Sequence, residues 1–163
     1  MNNYRIFFFS ILSILLFNCN NESDLNVLFT NADIVKIDGN SSKTWKVENY
    51  YNNYNSKILN ELNDCFVDDT FTFYKDNNIA EAKLGNISCF FNNPTEEAAS
   101  LKYTLDNSRG RIFINISRGE SFNGEFQSRL TILELQELSD NRMLFASGEK
   151  GNYMQTLILT AVN

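Results

Sequence analysis

Three aspartates and two cysteines are the residues whose types and spacing could support chemistry. Asp64, Asp68 and Asp69 surround Cys65, and Cys89 lies one candidate hairpin further along the chain. Clustered carboxylates can ligate calcium, and two carboxylates on either side of a cleft can hydrolyse a glycoside. This spacing lacks the alternation and the central glycine of a calcium loop, and neighbouring strand residues point to opposite faces. We therefore expect acids that are solvated or cap a turn, and we predict no metal and no cofactor.

Composition excludes several function classes. The 163 residues contain no histidine, which removes Ser-His-Asp and Cys-His catalysis and leaves no imidazole ligand for zinc. The net charge is -6 and the basic residues are scattered singly, so nucleic-acid binding is not expected. The chain is therefore predicted not to be an enzyme and not to bind nucleic acid.

The residues between the two cysteines favour a disulfide. Phe71 and Phe73 alternate with polar β-formers, which is typical of a half-buried strand. A turn at residues 75–78 and a second strand from Ile79 to Leu84 would complete an antiparallel hairpin. Its ends would bring Cys65 and Cys89 together, and the bond would stabilise the fold by about 3–4 kcal/mol. Two buried free thiols are the alternative.

The first 18 residues indicate export. Arg5 supplies positive charge, and the apolar run from Ile6 to Phe17 is too short to span a bilayer comfortably. A run that stops on a single cysteine resembles a bacterial lipoprotein signal, in which that residue, here Cys19, is lipidated. An ordinary signal peptide or an uncleaved anchor is the alternative. Lipidation of Cys19 would leave the other two cysteines as a pair.

The remaining pattern predicts an all-β domain with one or two short helices. A helix is expected over Asn31–Asp38, with Thr30 or Asn31 as its cap and Gly39 past its end, and Ser56 could cap a second helical turn. About eight strands follow, beginning near Thr44 and joined mostly by short turns. A bulge near Ile132 would explain a shift of alternation in the long strand, and a strand buried on both faces is the alternative. We predict an antiparallel up-and-down eight-stranded β-barrel, with a two-sheet sandwich as the alternative.

This organisation divides the chain into three parts: a signal peptide over 1–18, a tether and short helix over 19–42, and a barrel domain over 43–163. Large inward-facing side chains could line an apolar cavity or simply pack the core. The candidates for the barrel interior are Trp45, Phe71, Phe73, Tyr103 and Phe126.

Several of these features together resemble a known family. A lipoprotein signal precedes Lys43-Thr44-Trp45-Lys46-Val47, and Asp64-Cys65, Cys89 and a turn at Ser139-Asp140-Asn141 follow. The pattern is similar to that of the lipocalin-like lipoproteins of Bacteroidetes, which implies a calycin-type barrel. Lys43 stands where true lipocalins have the glycine of a Gly-x-Trp signature, so no binding residues carry over.

The function expected from this pattern is a cell-envelope lipoprotein that binds a small apolar or amphipathic ligand. Its membrane partner would be the outer membrane, reached through lipidated Cys19, with the domain facing the periplasm or the cell surface. The alternative is a surface interaction or structural lipoprotein that acts through its loops and has a filled barrel.

Overall fold

The computed structural model describes residues 28–89, 97–122 and 125–162, without the side chains of residues 121–127. The predicted signal peptide and Cys19 lie outside these residues, as does the side chain of Phe126. None of the helices in the described ranges is long and apolar enough to cross a membrane.

Two short helices and nine strands make up the described domain. The helices are α1 (Asn31–Asp38) and α2 (Asn63–Asp68). The strands are β1 (Ser42–Asn53), β2 (Ile58–Leu59), β3 (Thr70–Tyr74), β4 (Glu81–Lys83), β5 (Glu97–Asp106), β6 (Arg111–Phe122), β7 (Glu125–Leu138), β8 (Arg142–Glu149) and β9 (Asn152–Ala161).

The strands form one antiparallel sheet that curls into a nearly closed barrel. Their order is β4-β3-β1-β9-β8-β7-β6-β5, and the two-residue β2 pairs with β1 outside this path. The sheet edges meet where the Ala80 amide donates to the Leu101 carbonyl at 2.9 Å and the Tyr103 amide donates to the Asn78 carbonyl at 3.0 Å. The predicted up-and-down antiparallel barrel is therefore confirmed, and the sandwich alternative is excluded.

Helix α1 covers one end of the barrel, which we call the closed end. The backbone amide of Thr30 donates to the carboxylate of Asp33 at 3.0 Å, and Gly39, with a φ of 73°, ends the helix, as the sequence predicts. The indole nitrogen of Trp45 donates to the carbonyl of Ile37 at 2.7 Å and so holds α1 against β1. The short helix predicted within the segment 19–42 is therefore present, and it packs on the barrel.

Lys43 also belongs to the closed end. Its ammonium donates to the carbonyls of Lys36 and Asp140 at 2.8 and 2.5 Å, and it lies 4.6 Å from the centre of the Trp45 ring. The lysine thus joins α1 to the β7–β8 turn, and it combines hydrogen bonds with a cation–π contact.

Two local predictions were wrong. Ser56 caps no helix; a turn and β2 occupy that region, and the helix begins at Asn63, where the Asn63 side chain accepts the amide of Tyr50 at 2.9 Å. The register of β7 shifts between Leu135 and Glu137, not near Ile132. Ile132 is exposed because it lies on the outer face of a regular stretch of strand.

Candidate functional site

Four of the five predicted interior aromatics have described side chains, and all four are buried in the core of the barrel. Trp45, Phe71 and Phe73 are completely buried, and Tyr103 is 7% exposed. The rings of Phe73 and Tyr103 are tilted against each other with centroids 5.3 Å apart. They belong to one cluster with inward-facing residues of β5, β6, β7, β8 and β9. Because these side chains pack against one another as core residues do, we expect a site where the described residues leave an opening, towards one end of the barrel.

The end opposite α1, which we call the mouth, contains a buried ion cluster of Asp69, Glu97 and Arg118. The guanidinium group of Arg118 is 1% exposed and donates to the carboxylates of Asp69 and Glu97, the latter at 2.7 Å. A further N–H of Arg118 donates to the carbonyl of Ile87 at 3.2 Å. A charge is retained in a protein interior only when it is paired and hydrogen-bonded, and this arrangement meets both requirements.

The electrostatics of the cluster follow from burial and pairing. Burial raises the pKa of Asp69, although hydrogen bonds from Arg118 and from the Gly85 amide oppose that shift. Burial alone would lower the pKa of Arg118, but the hydrogen bonds and charges of Asp69 and Glu97 outweigh it and raise that pKa. Arg118 is therefore charged at any physiological pH and holds two carboxylates inside the barrel.

Sequence reasoning missed the cluster, although one signal was present. Ile112, Ile114 and Ile116 alternate as one face of a strand does, and Arg118 continues the same period of two. Continuing that alternation would have placed a cation inside the barrel.

The two cysteines hold the segment that covers the ion cluster. Cys65 lies in α2 and Cys89 follows β4, with Cα atoms 5.8 Å apart and sulfur atoms at disulfide distance. Asp68 accepts the amides of Asn86 and Ile87, the latter at 2.9 Å. The segment 85–89 is thus held to α2 by a covalent bond and by backbone hydrogen bonds.

The two acids of the pair have different roles, and only Asp69 departs from the expected solvated or turn-capping acid. Asp69 is fully buried and accepts the amide of Gly85 at 3.0 Å, while Asp68 binds the next two amides. A Cβ at Gly85 would collide with Asp68, which explains the glycine at this close approach. Across the described ranges, no group of three or more His, Cys, Asp or Glu residues is placed to hold a metal ion.

A pocket of about 290 Å³ opens beside the cluster, and we call it the mouth pocket. Its walls come from β1, β6, β7 and β9 and from the segment that leads into α2. The lining residues are Tyr50, Asn52, Asn60, Glu61, Leu62, Phe66, Ile116, Arg129, Leu130, Thr131 and Gln155. None of the interior residues proposed from the sequence is among them.

The mouth pocket combines an apolar floor with a polar rim. Tyr50, Phe66 and Ile116 are almost fully buried, and the rings of Tyr50 and Phe66 meet edge to face at 5.8 Å. The hydroxyl groups of Tyr50 and Thr131 are 2.8 Å apart and form a hydrogen bond across the pocket. Burial raises the pKa of Tyr50, so this phenol is neutral and can donate or accept.

The pocket exists because the barrel wall splits at the mouth. β7 pairs with β6 along ten positions, from Glu125 to Glu134, but it pairs with β8 only from Glu134 onwards. The gap is crossed by the Tyr50–Thr131 hydrogen bond and by an ion pair between Arg129 and Glu61. Side chains from strands that are not neighbours therefore face one another across an opening.

Comparisons with family models, with curated proteins and with solved structures give no match for this chain. The barrel alone is compatible with many functions. The similarity to lipocalin-like lipoproteins accordingly stays a prediction, and function must be argued from the mouth pocket.

Proposed function

We propose that this protein is a non-enzymatic binding protein of the cell envelope that takes a small amphipathic ligand in the mouth pocket. The observation that carries the proposal is the split in the barrel wall, which leaves an open pocket with an apolar floor at the end of the barrel. Ligand sites are commonly concave and occur in the mouths of β-barrels.

The lining supports an amphipathic ligand rather than a purely apolar one. Phe66 and Ile116 can cover the apolar part of such a molecule, while the amides of Asn52, Asn60 and Gln155 offer donors and acceptors at the rim. The volume, about 290 Å³, lies at the lower end of the range of small-molecule sites, which favours a small ligand. The acidic chain disfavours anions approaching from solution.

The ion cluster supports a non-catalytic role. Both of its carboxylates are bound by Arg118, and the segment 85–89 covers the cluster. Neither carboxylate therefore faces an open cleft. Glycoside hydrolysis needs two carboxylates on either side of a bound sugar. The arrangement instead suits closure of one side of the mouth, which leaves the pocket on the other side.

The envelope location rests on the first 19 residues of the sequence. Lipidation at Cys19 would anchor the protein, and two or three acyl chains give stable anchoring, whereas one is marginal. Intact mass and detergent partitioning of the full chain and of Cys19→Ala test this part. Equal partitioning of the two proteins into the detergent phase would contradict a lipid anchor.

Two neighbouring substitutions on β9 test the pocket. Gln155 lines the pocket, whereas Met154 is 46% exposed and on the opposite face of the strand. Gln155→Trp should fill the pocket and weaken binding of the neutral amphipathic dye Nile red at least tenfold, while Met154→Trp should leave it unchanged. Absence of dye binding to the wild-type protein, or equal weakening by both substitutions, would contradict the proposal.

The alternative, an interaction protein that acts through its surface, is favoured by one observation. Leu130 and Ile132 are 60% and 57% exposed on adjacent outward positions of β7. Retention of dye binding in Gln155→Trp, together with loss of binding to a partner protein in Ile132→Lys, would favour this alternative, because Ile132 is exposed and does not line the pocket.

A further inference from the structure

An ion pair lies across the opening of the mouth pocket. Glu61 and Arg129 are the charged side chains among the described residues that line the pocket, and they bind each other. They belong to opposite walls, because Glu61 lies in the segment that leads into α2 and Arg129 lies on β7. The pocket therefore presents one carboxylate and one guanidinium group, whose charges sum to zero.

The backbone is fixed on both walls, whereas the two charged side chains are exposed. The amide of Asn60, next to Glu61, donates to the carbonyl of Tyr50 at 2.8 Å. Arg129 pairs with Arg118 in the regular ladder between β6 and β7. The side chains of Arg129 and Glu61 are 62% and 65% exposed, and an exposed ion pair contributes little to stability because water solvates both charges. A ligand can therefore separate the two side chains at small cost.

The ion pair disfavours ligands that carry a single charge. A carboxylate bound to Arg129 would draw the guanidinium group away from Glu61, and an ammonium group bound to Glu61 would leave Arg129 without its carboxylate. A molecule that carries both groups close together gives each side chain a new partner of opposite charge. Arginine is also suited to this role because its planar guanidinium group binds a carboxylate through two parallel hydrogen bonds.

We propose that the ligand of the mouth pocket is a free α-amino acid with an aliphatic or aromatic side chain, and this inference rests on the binding function proposed above. Arg129 binds its carboxylate and Glu61 binds its ammonium group. Its side chain lies on the apolar floor, which includes Phe66 and Ile116. Such a molecule is small and amphipathic and has no net charge, so the acidic chain does not repel it.

Titration calorimetry of the full chain with three related compounds tests the two contacts separately. L-leucine carries both charged groups, 4-methylpentanoate lacks the ammonium group, and leucinamide lacks the carboxylate. At a pH of about 6, below the pKa of an α-amino group, the wild type should bind L-leucine at least tenfold more tightly than either analogue. Glu61→Gln should remove the preference over 4-methylpentanoate and keep the preference over leucinamide. Arg129→Gln should do the reverse.

The matched control is Glu137→Gln, which breaks another exposed ion pair, that with Arg142 at the closed end, and should keep both preferences. Gln155→Trp should weaken L-leucine binding at least tenfold, because it fills the pocket. A wild type that binds Nile red but does not prefer L-leucine would overturn the amino-acid ligand and leave the binding function standing, whereas failure to bind either compound would contradict both. Loss of both preferences in Glu61→Gln, or of either in Glu137→Gln, would also overturn the proposal.

Discussion

Removal of the Arg118 charge is the most informative perturbation of the barrel interior. Arg118→Met keeps most of the side-chain volume but deletes the hydrogen bonds to Asp69, Glu97 and the Ile87 carbonyl. Two carboxylates that are 0% and 2% exposed are left without their cation. Breaking a buried ion pair from one side costs about 3–5 kcal/mol, which corresponds to a fall in the urea midpoint of about 2 M.

The pH dependence of this variant has a defined sign. Burial already raises the pKa of Asp69 above its usual 3.8, and loss of Arg118 removes the cation that opposes the shift. A carboxyl whose pKa is higher in the folded than in the unfolded state favours folding when it is protonated. The stability deficit of Arg118→Met should therefore shrink as the pH falls from 7 towards 4.

Urea unfolding followed by fluorescence provides the assay, because Trp45 is the single tryptophan and is fully buried. Asp69→Asn in the Arg118→Met background should recover about 1 kcal/mol or more, since it removes a buried charge and keeps an acceptor for the Gly85 amide. A loss below about 1 kcal/mol at pH 7, or a deficit that does not change with pH, would refute the reasoning that the cluster is buried and paired.

Three further outcomes are expected. Cys65→Ser should lower the free energy of unfolding by about 3–4 kcal/mol, and thiol counting on protein from an oxidising compartment should find Cys65 and Cys89 unreactive in the wild type. Trp45→Ala should cost about 3–5 kcal/mol and loosen α1, seen as faster amide exchange there, because the indole bond to the Ile37 carbonyl is lost. Burial and the charge of Asp38 raise the pKa of Tyr103 to about 12, so stability should fall as the pH rises from 10 to 12. In the wild type, phenolate absorbance should show a late titration step that belongs to Tyr103, and this step should be absent in Tyr103→Phe.

The elements that sequence reasoning located are those defined by local patterns. The helix Asn31–Asp38 was found with its cap and its terminal glycine, because capping is decided within a few residues. The hairpin of Phe71 and Phe73 was found from alternation, and the two cysteines that flank it are at disulfide distance. Alternation and short turns also indicated an antiparallel barrel, since short connections cannot join parallel strands.

The errors came where tertiary contacts override local preference. The region after Ser56 was assigned as a helical turn, but Asn60 and Asn63 bind the backbone of Tyr50 and shape it as a covering segment of the mouth. The apparent shift of alternation at Leu130 and Ile132 was attributed to a bulge. Those side chains are exposed on an edge that the barrel leaves open, and local pattern cannot distinguish that from a change of phase.

The sequence by itself determined the antiparallel strand pattern and the helix of the closed end, and it favoured a cysteine pair over two free thiols, because each depends on neighbouring residues or on a single hairpin. Only the tertiary structure decided which side chains meet at the mouth. Asp69, Glu97 and Arg118 come from three parts of the chain, and Tyr50 and Thr131 from two strands that are not neighbours in the sheet. Their meeting depends on strand register and on the splitting of β7 from β8, which are set by the packing of the whole barrel.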